Sequence, residues 1–98
     1  MARFDVYKSQ EDGYLLDIQA DLLNHLHTRV VVPLMPFDVA PIPAKILNPV
    51  VTIDGLKMIM ATQYLAAVPA QLLKIPLANL ANRRDDITAA LDFLFQGF

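Results

Sequence analysis

Residues 85–98 read DDITAALDFLFQGF and predict an amphipathic helix, around which the remainder of the chain has to be arranged. Its apolar residues recur at the spacing of 3, 4 and 7 that defines one helical face. These residues are Ile87, Ala90, Leu91, Leu94 and Phe98. The opposite face carries Ala89, Asp92 and Gln96, and the rings of Phe93 and Phe95 fall on the two flanks. Because this apolar arc is wider than one buried stripe, we expect at least one aromatic ring to lie at the surface.

The chain has 98 residues, a length that predicts a single domain over residues 1–98. A domain of this size buries only about 60–65% of the surface that its unfolded chain exposes. Hydrophobic residues nevertheless make up 55% of the sequence. Because part of this apolar surface does not fit inside, we expect a homo-oligomer or a partner protein to cover it.

Charge and cysteine usage argue against several classes of function. The net charge is −2, and the 8 basic residues are scattered, with Arg83–Arg84 as the only adjacent pair. Direct binding of DNA or RNA needs clustered lysines and arginines and is therefore not expected. The absence of cysteine excludes disulfides, zinc–thiolate sites and thiol catalysis, and it suits a cytoplasmic protein.

No segment is typical of secretion or of membrane insertion. The start, MARFDVYKSQEDG, lacks the apolar stretch of a signal peptide. The longest uncharged run, Met58–Leu73, contains Gln63 and Pro69 and is shorter than the ~20 residues of a spanning helix. We therefore expect no membrane association.

The first third of the chain predicts three strands. Alternating polar and apolar residues indicate strands over Arg3–Lys8 and Tyr14–Gln19, joined by a polar hairpin connection. Residues Ala20–Thr28 lack regular periodicity and are predicted to form a loop. The strongest strand pattern is Arg29–Leu34, whose three valines indicate burial on both faces. Because proline donates no hydrogen bond, Pro33 is predicted to mark a strand end or edge.

The second half predicts another hairpin and then the helix. Four prolines within residues 35–49 rule out a regular helix there and favour a long excursion. Apolar runs over Val50–Ile53 and Leu56–Ala61 flank Asp54–Gly55, which predicts a tight hairpin turn. Val68–Pro69 is expected to interrupt the sheet, and Ala70–Ile75 to form one more short strand.

Strands therefore come first and the helix comes last. Either Asn79 or Asn82 is in a position to cap the helix, and Asp85 and Asp86 suit the positive end of its dipole. This order predicts a mainly β fold, a twisted antiparallel sheet or small, partly open barrel with the terminal helix packed on it.

Two sets of residues are candidates for metal binding or for catalysis. His25 and His27 would point both rings to one side if they lay on a strand, but a third metal ligand is not evident. Arg29 beside either histidine resembles the cation and acid–base groups of a ribonuclease. Asp21, Thr28 and the Asp85–Asp86 pair are further catalytic candidates, but no spacing distinguishes any of these residues from ordinary ion pairs and caps.

Six stretches, taken together, have the order and nearly the spacing of one known family. They are RFDVY (3–7), LDIQADLL (16–23), TRVVVPL (28–34), NPVVTIDG (48–55), KMIMATQYLAAVP (57–69) and LANLANRRDDITAALDFLFQGF (77–98). On these stretches the chain resembles the CcdB family, toxins of type II toxin–antitoxin modules that poison DNA gyrase. The resemblance covers essentially the whole length.

This resemblance implies an SH3-like antiparallel barrel of the CcdB/MazF type with a C-terminal α-helix, assembled as a homodimer. It implies a protein that is not an enzyme, and we expect no cofactor and no metal. Such a toxin binds the A subunit of gyrase while the enzyme holds cleaved DNA, and so traps the covalent complex. A CcdA-like antitoxin would wrap the toxin and release gyrase, and DNA would be contacted only through that antitoxin.

Residues that contact gyrase in the family carry over to two parts of this chain, the loop after the second strand and the end of the helix. They are Leu22, Leu23, Asp92, Phe95, Gln96, Gly97 and Phe98. Gln96 stands where the best-known plasmid member has tryptophan, and Asp92 stands where it has asparagine. Two alternative functions remain open. One is an mRNA endonuclease of the MazF/Kid type, and the other is a family member that binds antitoxin without poisoning gyrase.

Overall fold

The computed structural model describes residues 2–38, 40 and 43–97 and consists of short strands followed by one helix. The strands are β1 (Asp5–Lys8), β2 (Tyr14–Asp17), β3 (Thr28–Pro36), β4 (Val50–Ile53), β5 (Leu56–Met60), β6 (Ala66–Pro69) and β7 (Ala78–Asn79). The helix, α1, spans Arg84–Gln96. Single 3₁₀ turns occur at Asp21–Leu23, Thr62–Tyr64, Ala70–Leu72 and Ala81–Arg83.

All strand pairs in the described residues are antiparallel, and together they form a nearly closed barrel. The order across the sheet is β4-β5-β3-β2-β1-β7, and β6 pairs with β3 beside this path. Short connections join β1 to β2 and β4 to β5, whereas β3 also pairs with β5 and β6, and β1 with β7, which are not its neighbours in the chain. The structure confirms the predicted mainly β barrel with a C-terminal helix.

The long strand β3 is the centre of the sheet, and it runs through Pro33, so the prediction of a strand end or edge there is wrong. On one side β3 pairs with β2. On the other side it pairs with β6 over Thr28–Val31 and with β5 over Leu34–Pro36. Pro33 falls between these two partners. Its carbonyl accepts a hydrogen bond from the Ala61 N–H at 2.9 Å, so its nitrogen faces the same gap, where no donor is required.

The barrel interior holds the main hydrophobic core, and α1 closes it. The strands and the loops next to them contribute Phe4, Val6, Leu16, Ile18, Val32, Leu34, Val51, Ile53, Met58, Met60 and Leu80. From α1, Ile87 and Ala90 are buried, and Leu91 packs against the cluster. This confirms the predicted inner face of the helix for Ile87, Ala90 and Leu91, whereas Leu94 is only partly buried and is not part of the cluster, and Phe98 lies outside the described residues.

A second, smaller cluster lies on the other face of the sheet. It contains Tyr7, Val31 and Leu73. Since Val31 is in this cluster and Val32 is in the main core, β3 is buried on both faces, as its run of valines predicted.

The hairpin at Asp54–Gly55 is confirmed, whereas the region after β5 differs from its prediction. Asp54 and Gly55 have φ values of 51° and 78°, the positive values that the tight turn requires. The sheet continues through Val68–Pro69 as β6, with proline as its last residue. Ala70–Ile75 forms no strand, because a 3₁₀ turn there brings Leu73 onto the second cluster.

Neither asparagine before the helix caps α1. The Asn79 side chain accepts the Ala81 N–H at 2.8 Å, a local contact within the chain just before the 3₁₀ turn. In the part of the chain that the structure describes, no side-chain hydrogen bond caps the start of α1 itself.

Two glycines with positive φ provide a matched test of this backbone. A Cβ at Gly13 would collide with the carbonyl oxygen of Leu34, whereas a Cβ at Gly55 would meet no atom within 4 Å. We expect Gly55→Ala to lower the free energy of unfolding by about 1–2 kcal/mol, the cost of the left-handed conformation. Gly13→Ala should lower it by more, because β3 also has to move. Urea denaturation followed by circular dichroism measures both, and equal losses would contradict the predicted close approach.

Candidate partner-binding site

Within residues 84–97, the C-terminal end of α1 presents one aromatic ring to solvent. Phe95 is 68% exposed, while Phe93 on the other flank is partly buried. Asp92 and Gln96 are also exposed, as their place on the outer face predicted. The helix ends at Gly97, whose φ of 80° lets its N–H donate to the Phe93 carbonyl at 2.9 Å. Phe98, the last predicted contact residue, lies outside the described residues.

The second group of predicted contact residues lies on the 3₁₀ turn after β2. Leu22 is 90% exposed, and Leu23 is 42% exposed. None of the three residues of this turn is buried, so its conformation does not come from packing of its own side chains.

Polar side chains from the strands hold this turn in place. The side-chain oxygen of Gln19 accepts the Val30 N–H at 3.1 Å. Its side-chain nitrogen donates to the Leu23 carbonyl, also at 3.1 Å. At the end of the turn, Arg29 Nη1 donates to Asn24 Oδ1 at 2.6 Å. The exposed leucines are therefore attached to β3 through Gln19 and Arg29.

Arg29 itself belongs to a fully buried ion pair. Its Nη2 lies 2.6 Å from Asp17 Oδ2, and both side chains are 0% exposed. Arg29 Nε donates to the same oxygen at 2.9 Å, and the Gln19 N–H donates to Asp17 Oδ1 at 3.0 Å. Burial raises the pKa of Asp17, while the hydrogen bonds and charge of Arg29 oppose that rise.

The two groups of predicted contact residues lie towards different ends of α1. Asp21, the first residue of the turn, lines a cavity together with Arg84, the first residue of the helix. Phe95 lies eleven residues further along α1, which is a rise of about 16 Å. The turn therefore lies near the start of the helix, and the exposed ring lies near its end.

The residues considered for catalysis and metal binding do not converge. His25 and His27 are exposed and lie in the loop before β3, not on a strand. No group of three or more histidine, cysteine, aspartate or glutamate residues in the described part of the chain is placed to hold a metal ion. Arg29 has no exposed surface with which to reach a phosphate, which argues against the ribonuclease alternative.

The sequence alone did not reveal the role of Asp17. Its alternation with Leu16 and Ile18 showed only that its side chain points away from the barrel interior. The pairing with Arg29 depends on β2 and β3 being neighbours in the sheet. A fully buried arginine twelve positions away has no signature in sequence spacing.

Comparison with known protein families agrees with the fold. The family model described as CcdB protein matches residues 3–97, nearly the whole chain. The chain therefore belongs to the CcdB family, whose members are the toxins of toxin–antitoxin modules and act by binding a protein. Among the described residues, no helix is long and apolar enough to cross a membrane.

Removing Arg29 should be far more damaging than breaking the surface ion pair of α1. Arg29→Met leaves the buried Asp17 charge without its partner, and we expect a loss of about 3–5 kcal/mol in the free energy of unfolding. The control is Asp86→Asn, which breaks the exposed Arg83–Asp86 pair and should cost less than about 1 kcal/mol. The double change Arg29→Met with Asp17→Leu should recover much of the loss, as measured by urea denaturation. No recovery would show that the uncompensated charge is not the cause.

Tyr7 provides a test of burial at the second cluster. Burial raises the pKa of Tyr7 to about 12, and the nearby charges of Asp5 and Asp17 add to the rise. Because the folded protein holds this proton more tightly than the unfolded chain, the stabilisation is complete below about pH 10 and is lost as the pH rises through about 12. Tyrosinate absorbance should show a late ionisation that Tyr7→Phe removes. Identical titrations of the two proteins above pH 11, normalised per tyrosine, would contradict this assignment.

Proposed function

We propose that this protein binds the A subunit of DNA gyrase and traps the complex of gyrase with cleaved DNA. It acts through protein–protein contact and catalyses no reaction. Its proposed contact residues are those on the 3₁₀ turn after β2 and at the end of α1. They are Leu22, Leu23, Asp92, Phe95, Gln96, Gly97 and Phe98.

The single observation that supports this proposal best is the exposure of Phe95. The inner face of α1 already closes the barrel through Ile87 and Ala90, so Phe95 is not needed for the core. Full burial of a phenylalanine side chain is worth about 1.5–3 kcal/mol, and this ring leaves most of that stabilisation unused in the protomer. Exposed aromatic residues of this kind frequently dominate the energy of protein interfaces.

A homodimer would bring two copies of each contact group onto a shared surface. Gyrase works with paired A subunits, so a two-fold toxin surface is suited to a two-fold target. The dimer would also account for apolar residues that remain at the surface of the protomer, such as Leu22.

The helix end of this protein differs in chemistry from that of the best-known plasmid member, which carries a tryptophan in place of Gln96. Gln96 contributes an amide that forms hydrogen bonds but offers little apolar area, and Asp92 adds a negative charge on the outer face. Under this proposal, Phe95 is the principal apolar contact residue at the helix end. The gyrase surface that binds it has to accommodate the negative charge of Asp92.

The remaining partners follow from the same proposal. A CcdA-like antitoxin would neutralise the toxin and supply the contacts to operator DNA, since the chain itself has a net charge of −2. Because gyrase and its DNA are in the cytoplasm, the toxin is proposed to act there.

A cleavage-complex assay tests the proposal directly. Gyrase, supercoiled DNA and ATP are incubated with the protein, followed by denaturant and protease, and linear DNA is quantified. We expect linear DNA with the wild type, and at least about tenfold more protein to be required for Phe95→Ala. Truncation after Phe95 should abolish the linear product while leaving the fold intact.

The matched control is Ile75→Ala, which shortens another side chain that is 75% exposed and lies outside the proposed contact residues. It should produce as much linear DNA as the wild type. If the wild type produces none from the gyrase of its own host, gyrase poisoning is excluded. If Phe95→Ala remains fully active, the helix end is not the contact surface.

A further inference from the structure

Two of the four arginines of this chain form ion pairs with carboxylates of the described residues, and two do not. Arg29 pairs with Asp17, and Arg83 pairs with Asp86 at 3.0 Å. Within the described residues, Arg3 and Arg84 form no ion pair with any carboxylate. These two arginines line the same cavity.

Both unpaired guanidinium groups lie over the ring of Phe4. The central carbon of the Arg3 guanidinium is 4.8 Å from the ring centroid, and that of Arg84 is 5.7 Å from it. Cation–π contact with a ring uses the face of a guanidinium and leaves its N–H groups in the plane free for a ligand. The Phe4 ring therefore holds two positive charges, and the terminal N–H groups of both guanidinium groups have no hydrogen-bond partner within the described residues.

The position of Phe4 is determined by its backbone. Its φ is 73°, a left-handed conformation that is strained for a bulky residue. Its N–H donates to the Asp17 carbonyl at 2.6 Å, and its carbonyl accepts the Leu80 N–H at 2.8 Å. Its side chain is 2% exposed. Arg3 is held as well, because its Nε donates to the Ile18 carbonyl at 3.2 Å.

The two arginines face a cavity of about 400 Å³ beside the turn after β2. Asp21 and Asn79 also line it, and both are already engaged. Asp21 Oδ1 accepts the Arg3 N–H at 2.8 Å, and Asn79 Nδ2 donates to the Asp5 carboxylate at 2.9 Å. With two arginines and one aspartate, the cavity has a net positive charge in a protein whose net charge is −2.

The identity of Arg84 is not explained by the stability of α1. It is the first residue of the helix, where the dipole favours negative side chains and a positive charge is unfavourable. It forms no hydrogen bond or ion pair within the described residues that would offset this cost. The contact of Arg84 with the Phe4 ring offsets part of this cost, and within the described residues its side-chain N–H groups have no hydrogen-bond partner, so they are available to a ligand.

We propose that Arg3 and Arg84, held over Phe4, form a binding site for a carboxylate side chain of the protein partner. Resting on the proposed function, the partner is the gyrase A subunit, and its acidic residue lies next to an apolar residue that covers Leu22. A planar guanidinium binds a carboxylate through two parallel hydrogen bonds, which gives the contact both strength and orientation. A nucleic-acid phosphate fits less well, because a single arginine pair beside Asp21 is not an extended basic surface.

The site is tested first without gyrase, by titrating the protein with sodium succinate and following the arginine Nε–H signals by NMR. We expect saturable shifts for Arg3 and Arg84 and none for Arg29 and Arg83, which are internal controls. Arg84→Gln should abolish the saturation. Since Arg84 is exposed, this variant is expected to fold, and its thermal unfolding checks that.

Equal, unsaturable shifts at every exposed arginine would overturn the site. Inorganic phosphate serves as the second probe at the same ionic strength. Tighter binding of phosphate than of succinate would overturn the assignment to a carboxylate.

The partner is tested by the affinity of the protein for the purified gyrase A subunit. Arg3→Gln with Arg84→Gln should raise Kd at least about tenfold and weaken its dependence on salt. The control, Lys45→Gln with Lys57→Gln, removes the same charge from exposed positions elsewhere and should change Kd less than about twofold.

The outcomes separate the two proposals. If the wild type does not bind the A subunit, gyrase is not the partner, and the succinate titration still decides whether the anion site exists. If the wild type binds and the double arginine variant binds equally well, the arginine pair is not part of the gyrase contact.

Discussion

The buried ion pair between Arg29 and Asp17 is the interaction on which the surface arrangement of this protein depends. Two charges without exposed surface are tolerated only when each is compensated by neighbouring groups. Here the compensation comes from the chain that follows β2, through the backbone of Gln19 and the side chain of Asn24. The hydrogen bonds that compensate the two buried charges therefore determine the path of the turn between Gln19 and Asn24. On this path, Leu22 lies on the outer, solvent-exposed side of the turn.

The helix α1 links the two parts of the proposed contact surface. Its inner face closes the barrel, so its outer face is available to a partner along the whole helix. At its end, Phe95 offers apolar area, and at its start, Arg84 offers a cation beside the turn that carries Leu22. A partner that lies along the protein from one end of α1 to the other would meet an aromatic contact and a charged contact. Charged contacts of this kind contribute mainly to specificity and association rate, and buried aromatic contacts contribute mainly to affinity.

Local patterns predicted the elements well where one short-range rule dominated. The Asp54–Gly55 turn follows from its positive φ values, and the inner face of α1 follows from the spacing of Ile87 and Ala90. The predictions were wrong where a neighbouring strand overrode the local rule. Pro33 stays within β3 because its missing donor faces the gap between two partner strands. Predicting this would have required the order of strands in the sheet.

The sequence by itself determined the family, the mainly β fold with its terminal helix, and the excess of apolar residues on that helix. These properties follow from composition, periodicity and the order of motifs, all of which are local or additive along the chain. Only the tertiary structure decided that Arg29 is a buried structural partner of Asp17, that Phe95 and not Phe93 is the exposed ring, and that Arg3 and Arg84 lie over Phe4. Each of these depends on contacts between residues far apart in the chain, because burial and charge pairing are set by which strands become neighbours.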